Sequence, residues 1–160
     1  MLRFSTVAVD TEPATTLLNE YFTSRELGFA REQGSYQIFT PDPVAFTSPR
    51  GVFLVLEEDG EPVGCGGIRR IDDAPDGVVQ FEIKHLYLRP STRGRGFGRQ
   101  LLEELERRAV ELGATRLVLD TNSSLAAAGG LYRASGYRDV APYNTNPNAT
   151  NWYAKDVSPE

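Results

Sequence analysis

The sequence predicts an α+β domain built on a mixed β-sheet, and three observations carry this prediction. Short apolar runs typical of β-strands come first along the chain. Segments typical of a strand, a helix, a strand, a helix and a strand then follow in this order. A strongly amphipathic helical pattern occupies residues 96–112. A glycine-rich turn directly precedes that helix. Because the chain has 160 residues, we expect a single domain over residues 1–160 with a substantial core.

The first half of the chain predicts a strand, a helix and a hairpin. Residues 2–9 form the strand, and a helix-start signal at residues 11–13 precedes apolar residues at helical spacing. Segment 29–50 interleaves prolines with aromatic residues, which predicts a loop. This loop either lines a substrate site or is pinned to the core. Residues 52–56 and 63–71 form two strands joined by a turn of acidic residues and glycine.

The second half adds two helices and four strands. Leu101, Leu105 and Ala109 share one face of the first helix, and Gly113 ends it. A polar segment over 143–148 either contacts substrate or is a solvated loop. The predicted elements are a strand over 78–88, a helix over 96–112, a strand over 116–121, a helix over 124–135, and strands over 137–140 and 151–157.

Composition excludes several classes of protein. There are 17 Lys and Arg against 22 Asp and Glu, and a net charge of −5 argues against a nucleic-acid or anionic-membrane binder. One cysteine, Cys65, excludes an intrachain disulfide, and with a single histidine we expect no metal site. Cys65 is expected to be a small buried residue rather than a nucleophile. The acidic N-terminus and the lack of an apolar run of about 18 residues predict a cytoplasmic protein.

The segment 93–98, Arg-Gly-Arg-Gly-Phe-Gly, joins a predicted strand to the start of a helix. Free N–H groups and the dipole at a helix start favour an anion, and glycines allow close approach, so a phosphate or pyrophosphate fits here. A Rossmann fingerprint fails because Gly98 comes one residue early and no βαβ unit precedes it. A Walker A loop fails for lack of Lys-Ser/Thr, and an RNA-binding Arg/Gly segment would be repeated and disordered.

With its flanks, this segment resembles the GNAT superfamily of acetyl-CoA-dependent N-acetyltransferases. The family motif Gln/Arg-x-x-Gly-x-Gly/Ala is met by residues 93–98. Residues 82–90 are similar to the family's preceding strand, and residues 131–137 to its late helix–strand junction. The resemblance is strongest over 52–140. It implies the GNAT fold, a central mixed twisted β-sheet of about six or seven strands flanked by about four helices.

The resemblance implies where acetyl-CoA binds. Backbone amides of residues 94–99 would cradle the pyrophosphate, and pantetheine would pair with residues 86–88 like an added strand. A β-bulge near His85 and Leu86 would splay this strand from its neighbour, with the Leu86 amide as oxyanion donor. The cofactor-binding residues predicted in this way are Leu86, Tyr87, Leu88, Arg93, Gly94, Arg95, Gly96, Phe97, Gly98, Arg99 and Asn122.

Two catalytic side chains follow from the same resemblance. Glu82 matches the strand glutamate that serves many members as base, and Tyr132 matches the tyrosine whose hydroxyl is the acid beside the CoA sulfur. His85 is the rival base. The structural alternatives are an ion pair of Glu82 with Arg69, and packing roles for His85 and Tyr132.

Two positions depart from the family pattern. The asparagine that contacts CoA seven residues before the tyrosine is Leu125 here, and Asn122 and Ser124 are the nearest replacements. Gly129 and Gly130 stand where the family usually has alanine and a large aliphatic residue.

We therefore predict an acyltransferase that moves the acetyl group of acetyl-CoA directly to a primary amine of a small molecule, peptide or protein. The alternatives are a non-catalytic CoA-binding regulatory or sensor protein of the same fold, and an RNA-binding module. The expected partners are acetyl-CoA and an amine, without nucleic acid or membrane. A homodimer is a family-level expectation.

Overall fold

A seven-stranded β-sheet forms the centre of the computed structural model, which describes residues 1–123 and 125–158. The predicted helix start at Ser124 lies outside the described residues. The strands are β1 (Leu2–Thr6), β2 (Gly51–Glu58), β3 (Glu61–Arg70), β4 (Gln80–Leu88), β5 (Arg116–Thr121), β6 (Arg138–Asp139) and β7 (Asn151–Asp156). The helices of the described chain are α1 (Ala14–Leu27), α2 (Phe97–Glu111) and α3 (Ala126–Ala134).

The sheet is mixed, as predicted. Its strand order is β1-β2-β3-β4-β5-β7-β6, and β4 and β5 are the parallel pair in an otherwise antiparallel sheet. The strand number agrees with the expected six or seven, whereas three α-helices in the described residues are fewer than the about four expected. Segment 29–50 holds only a short 3-10 turn, Arg31–Gln33, because its three prolines disfavour a continuous helix.

Strand β2 is buried on both faces and organises the core. Val52 and Leu54 pack with α2, whereas Phe53 and Val55 pack with α1 on the opposite face. This alternation follows the two-residue period of a strand. The helices therefore cover both sides of the sheet. None of the described helices is long and apolar enough to cross a membrane.

The predicted bulge is present in β4. The pairing of β3 with β4 shifts register between Cys65 and Gly67, and His85 has a φ of 59°. The parallel pairing of β4 with β5 ends at Glu82 opposite Val118. Beyond this point the two strands diverge, so the β5-facing edge of the second half of β4 has no strand partner there.

Some boundaries differ from the predictions. Strand β1 ends at Thr6 instead of residue 9, because Val9 packs into the α1 side of the core. Strand β6 is shortened to two residues, Arg138–Asp139, at the edge of the sheet. Cys65 is fully buried, as predicted, and burial raises the pKa of its thiol.

Replacing Gly130 with alanine should stabilise the fold. Gly130 is an exposed residue inside α3, and no atom lies within 4 Å of an added Cβ. Alanine is favoured over glycine in helices by about 0.5 to 1 kcal/mol, and we expect a gain of this size in the free energy of unfolding. Denaturant titration measures it. Gly129→Ala, whose Cβ would lie 3.5 Å from the Tyr153 hydroxyl, should gain less. A loss of stability in Gly130→Ala would contradict this description of α3.

Candidate active site

A cavity of about 770 Å³ runs along the diverging half of β4. It extends from the glycine-rich turn before α2, passes between β4 and α3, and ends under two loops. The loop residues belong to the aromatic segment 29–50 and to the polar segment 143–149. We call its two ends the glycine-rich end and the loop end.

The glycine-rich end has the geometry of an anion site. Gly94 and Gly96 have φ values of 74° and 75°, and no atom lies within 4 Å of a Cβ built on either. Helix α2 begins directly afterwards at Phe97 without a side-chain cap, so its first N–H groups have no capping acceptor from a side chain. Arg93, Gly98 and these residues all line the cavity.

Two arginines of the motif point elsewhere. Arg95 forms an ion pair with Glu58 and lies with its Cζ 4.5 Å from the Phe97 ring centroid. Arg99 pairs with Glu103 at 3.0 Å on the surface of α2. Neither side chain lines the cavity. The Arg95 N–H already donates to the Thr92 carbonyl at 3.3 Å, so of these two residues only the backbone amide of Arg99 keeps its predicted role as a prediction.

Leu86, Tyr87 and Leu88 line the middle of the cavity on the unpartnered edge of β4. The Tyr87 hydroxyl donates to Glu20 at 3.2 Å. Across the cavity on α3 stands Tyr132, which is only 6% exposed.

Contacts of its aromatic ring hold the Tyr132 side chain in place. The ring packs against Tyr137 and Tyr153 at centroid distances of 6.0 and 5.8 Å. Its hydroxyl makes no hydrogen bond to another residue that the structure describes. Burial and the charge of Asp120 raise its pKa. The phenol therefore stays protonated at neutral pH, as an acid must before it donates.

His85 is packed in an aromatic cluster. Its ring centroid lies 5.6 Å from that of Tyr21, 5.7 Å from Phe22 and 5.9 Å from Phe46. Burial, with the charges of Lys84 and Arg69, lowers the pKa of His85 to about 3. The side chain is neutral at physiological pH and weakly basic, which favours the packing role for this residue.

Both carboxylate oxygens of Glu82 have partners. Arg69 Nε donates to its Oε1 at 2.9 Å and Arg69 Nη2 lies 2.8 Å from the same oxygen, so the ion pair weighed as an alternative is present. The Tyr143 hydroxyl donates to Oε2 at 2.6 Å, and Lys84 Nζ lies 3.7 Å from this oxygen. Arg69 and Lys84 line the cavity whereas Glu82 does not. The carboxylate therefore lies one layer behind the cavity surface.

Sequence reasoning missed a second buried carboxylate, Asp120, near the end of β5. Lys84 Nζ lies 3.2 Å from its Oδ1, and Asn144 donates to its Oδ2 at 2.7 Å. Trp152 in turn donates to Asn144 at 2.9 Å. Asp120, unlike Glu82, lines the cavity. Its position on the strand parallel to β4 is the signal that would have placed it near the site.

The two loops at the loop end are joined to each other. The backbone N–H of Gln37 donates to Asn148 at 2.9 Å, and the Asn148 amide donates back to the Gln37 carbonyl at 2.6 Å. Asn122 strengthens this junction by donating to Gln33 at 2.8 Å and to the Asn148 carbonyl at 3.0 Å. Both loops are therefore walls of the cavity. The first loop is also pinned to the core, because Phe46 packs against Phe53, and contact of either loop with substrate stays a prediction. Asn122 lies behind the wall, and Leu125 lines the cavity.

A sequence model of the acetyltransferase (GNAT) family matches residues 12–137. The chain belongs to this family. The match spans most of the chain, including the glycine-rich turn, the bulged strand and the helix that carries Tyr132, so the family predicted from the sequence is confirmed.

Relatives of this GNAT chain agree with the assignment. An uncharacterized N-acetyltransferase of Schizosaccharomyces pombe is 35% identical over 100 residues, which are 62% of this chain and 59% of the relative. The chain thus spans less than two thirds of that protein. A GNAT-family acetyltransferase of Staphylococcus aureus superposes with a TM-score of 0.75 at 16% identity, covering 98% of this chain and 99% of the other. One from Elizabethkingia anophelis, with acetyl-CoA bound, has a TM-score of 0.67 at 17% identity and covers 98% of each chain.

Proposed function

We propose that this GNAT protein is an N-acetyltransferase that moves the acetyl group of acetyl-CoA directly to a primary amine. One observation carries the proposal: a single cavity joins an anion site at a helix start, an unpartnered strand edge, a protonated tyrosine and a polar loop end. Direct transfer requires that both substrates reach one point from two sides, and a continuous cavity with two different ends permits this.

The residues at the glycine-rich end fit the diphosphate of coenzyme A. The open space over Gly94 and Gly96 and the first N–H groups of α2 suit phosphate oxygens. The unpartnered edge of β4 at residues 86–88 suits the amides of pantetheine, because a strand edge offers backbone donors and acceptors. Arg93 adds a positive charge beside the turn.

We infer that Tyr132 is the acid and Glu82 the base. Tyr132 lines the cavity midway and keeps its proton at neutral pH, so it can protonate a departing thiolate. Glu82 is the carboxylate that the family resemblance singles out, and it accepts the proton of the amine by way of Lys84, which lines the cavity 3.7 Å from Oε2, gives one ammonium proton to Glu82 and takes up the proton of the amine. Asp120, which faces the cavity directly, is the rival that the structure adds.

Acetyl transfer to a panel of amines tests the function, and the pH profile tests the base. Glu82→Gln should lower the rate by roughly 10²-fold or more at neutral pH. A base works only when deprotonated, so the activity of the wild type should fall at acidic pH, which we call the acidic limb of the profile. In Glu82→Gln activity should return only as pH rises toward the pKa of the amine, where free amine forms unaided.

Three further variants make this test specific. Arg69→Gln breaks the same ion pair but keeps the carboxylate, so it should lose stability and retain the acidic limb of the profile. Asp120→Asn and His85→Gln should retain the limb as well. If the acidic limb disappears in Asp120→Asn or in His85→Gln but persists in Glu82→Gln, the residue whose variant lost the limb is the base. Binding of acetyl-CoA without transfer to any amine would support the regulatory alternative.

A further inference from the structure

A buried arginine at the loop end of the cavity has no ion-pair partner among the side chains that the structure describes. Arg25 stands in the last turn of α1, lines the cavity and is 7% exposed. Its Nη1 is buried and has no hydrogen-bond partner among these residues. No carboxylate in residues 1–75, 77–123 or 125–158 forms an ion pair with it.

The other cations of the loop end are already neutralised. Arg69 is paired with Glu82 at 2.8 Å, and Lys84 with Asp120 at 3.2 Å. The remaining acidic side chain of this wall, Asp42, is exposed and accepts a hydrogen bond from the Val44 N–H at 3.0 Å. Within the described part of this wall, Arg25 is thus the cation left over for a ligand.

The Tyr36 ring offsets only part of the free-energy cost of burying the Arg25 charge. The Cζ atom of Arg25 lies 5.4 Å from the centroid of the Tyr36 ring, a distance at which the ring face attracts a cation. A ring face does not satisfy the N–H groups that lie in the guanidinium plane. Arginine does not lose its proton in proteins, so the charge stays. A buried charge without an acceptor is costly, which favours an anionic ligand in the adjoining cavity.

Arg25 and Tyr132, the proposed acid, line the same cavity, Arg25 from α1 and Tyr132 from α3. An anion bound to Arg25 would therefore lie in the cavity that receives the reacting amine, so both groups fit on one small molecule.

We propose that Arg25 binds the carboxylate of the acetyl acceptor, and that this acceptor is a free amino acid with an apolar side chain. The inference rests on the proposed function and names its substrate class. The planar guanidinium matches a carboxylate in geometry and charge. Tyr21, Tyr36 and Phe39 line the same end and offer an apolar wall for the side chain. Arg25 selects and positions the acceptor and takes no part in bond making.

The test compares amino acids with their primary amides, which keep the amine and side chain but lack the charge. L-phenylalanine, L-leucine and L-methionine are assayed against their amides with wild type and with Arg25→Met. In Arg25→Met we expect kcat/KM for the amino acids to fall by about 10²-fold, mainly through KM, because the buried charge pair between Arg25 and the carboxylate is lost. The amides should change by less than about twofold, since they have no charge to lose. Arg107→Met, on the exposed face of α2, is the matched control and should change neither class.

Two measurements keep the outcome unambiguous. The Arg25 Nη1 has no hydrogen-bond partner among the described residues, and the Tyr36 ring offsets only part of the cost of burying the charge. Arg25→Met should therefore unfold at an equal or higher temperature, whereas a structural arginine would give a lower one. N-acetyl-L-phenylalanine should raise the unfolding temperature of wild type but not of Arg25→Met, and this binding needs no catalysis. The inference would be overturned if the wild type had equal kcat/KM for the amino acids and their amides. It would also be overturned if N-acetyl-L-phenylalanine left the unfolding temperature of the wild type unchanged. Absence of transfer to every amine, with Arg25-dependent binding intact, would overturn only the proposed function.

Discussion

Replacing Tyr132 with phenylalanine should lower kcat by roughly 10²-fold or more, because the positioned acid that protonates the thiolate is lost. The ring keeps its contacts with Tyr137 and Tyr153, and the hydroxyl has no hydrogen-bond partner among the residues described. Stability and acetyl-CoA affinity should therefore change little. Steady-state kinetics, calorimetry and thermal unfolding measure the three quantities. Since the pKa of Tyr132 is raised, wild-type kcat should not fall through loss of this proton near the ordinary tyrosine pKa of about 10.

Tyr137→Phe is the matched control for this variant. The Tyr137 hydroxyl is also buried, but it donates to Glu106 at 2.8 Å and does not line the cavity. Its removal should cost about 1 to 3 kcal/mol in the free energy of unfolding and leave kcat unchanged. If Tyr132→Phe instead loses stability and activity in proportion, the tyrosine is a packing residue and the acid lies elsewhere.

Gly96→Asp should weaken acetyl-CoA binding by about 10²-fold or more, because like charges placed together cost several kcal/mol. Gly96 has a φ of 75° and open space where its Cβ would stand. An aspartate there brings a negative charge and a side chain to the start of α2, where we expect the diphosphate. Isothermal calorimetry measures the affinity, and circular dichroism checks the fold.

The hairpin glycine Gly60 provides a control with the same backbone strain. It has a φ of 84°, equally open space, and a position away from the cavity. Gly60→Asp should therefore show a similar loss of stability with unchanged acetyl-CoA affinity. If Gly96→Asp also keeps wild-type affinity, the glycine-rich turn is not the phosphate site.

The sequence by itself determined the features that depend on neighbours along the chain. The period-two run over residues 52–56, the amphipathic face of α2 and the glycines at 94–98 are local patterns, and local geometry decides what they form. The bulge near His85 followed from the family motif in the same stretch. Arg25 continues the spacing of Leu18 and Phe22 on the buried face of α1. One charged residue at such a position has several explanations, so its spacing alone assigns it no role.

The tertiary structure decided which side chains share the cavity. Glu82 meets Arg69 through strand pairing and Tyr143 from a loop 61 residues away. Arg25 and Tyr132 line one cavity although they lie 107 residues apart in the chain, and segments 29–50 and 143–149 form one wall through Gln37 and Asn148. Such contacts depend on how helices and loops pack against each other. A short stretch of sequence does not determine this packing. The motif thus indicated the glycine-rich end of the cavity from the sequence, whereas the loop end and the buried Arg25 came together only when distant segments packed.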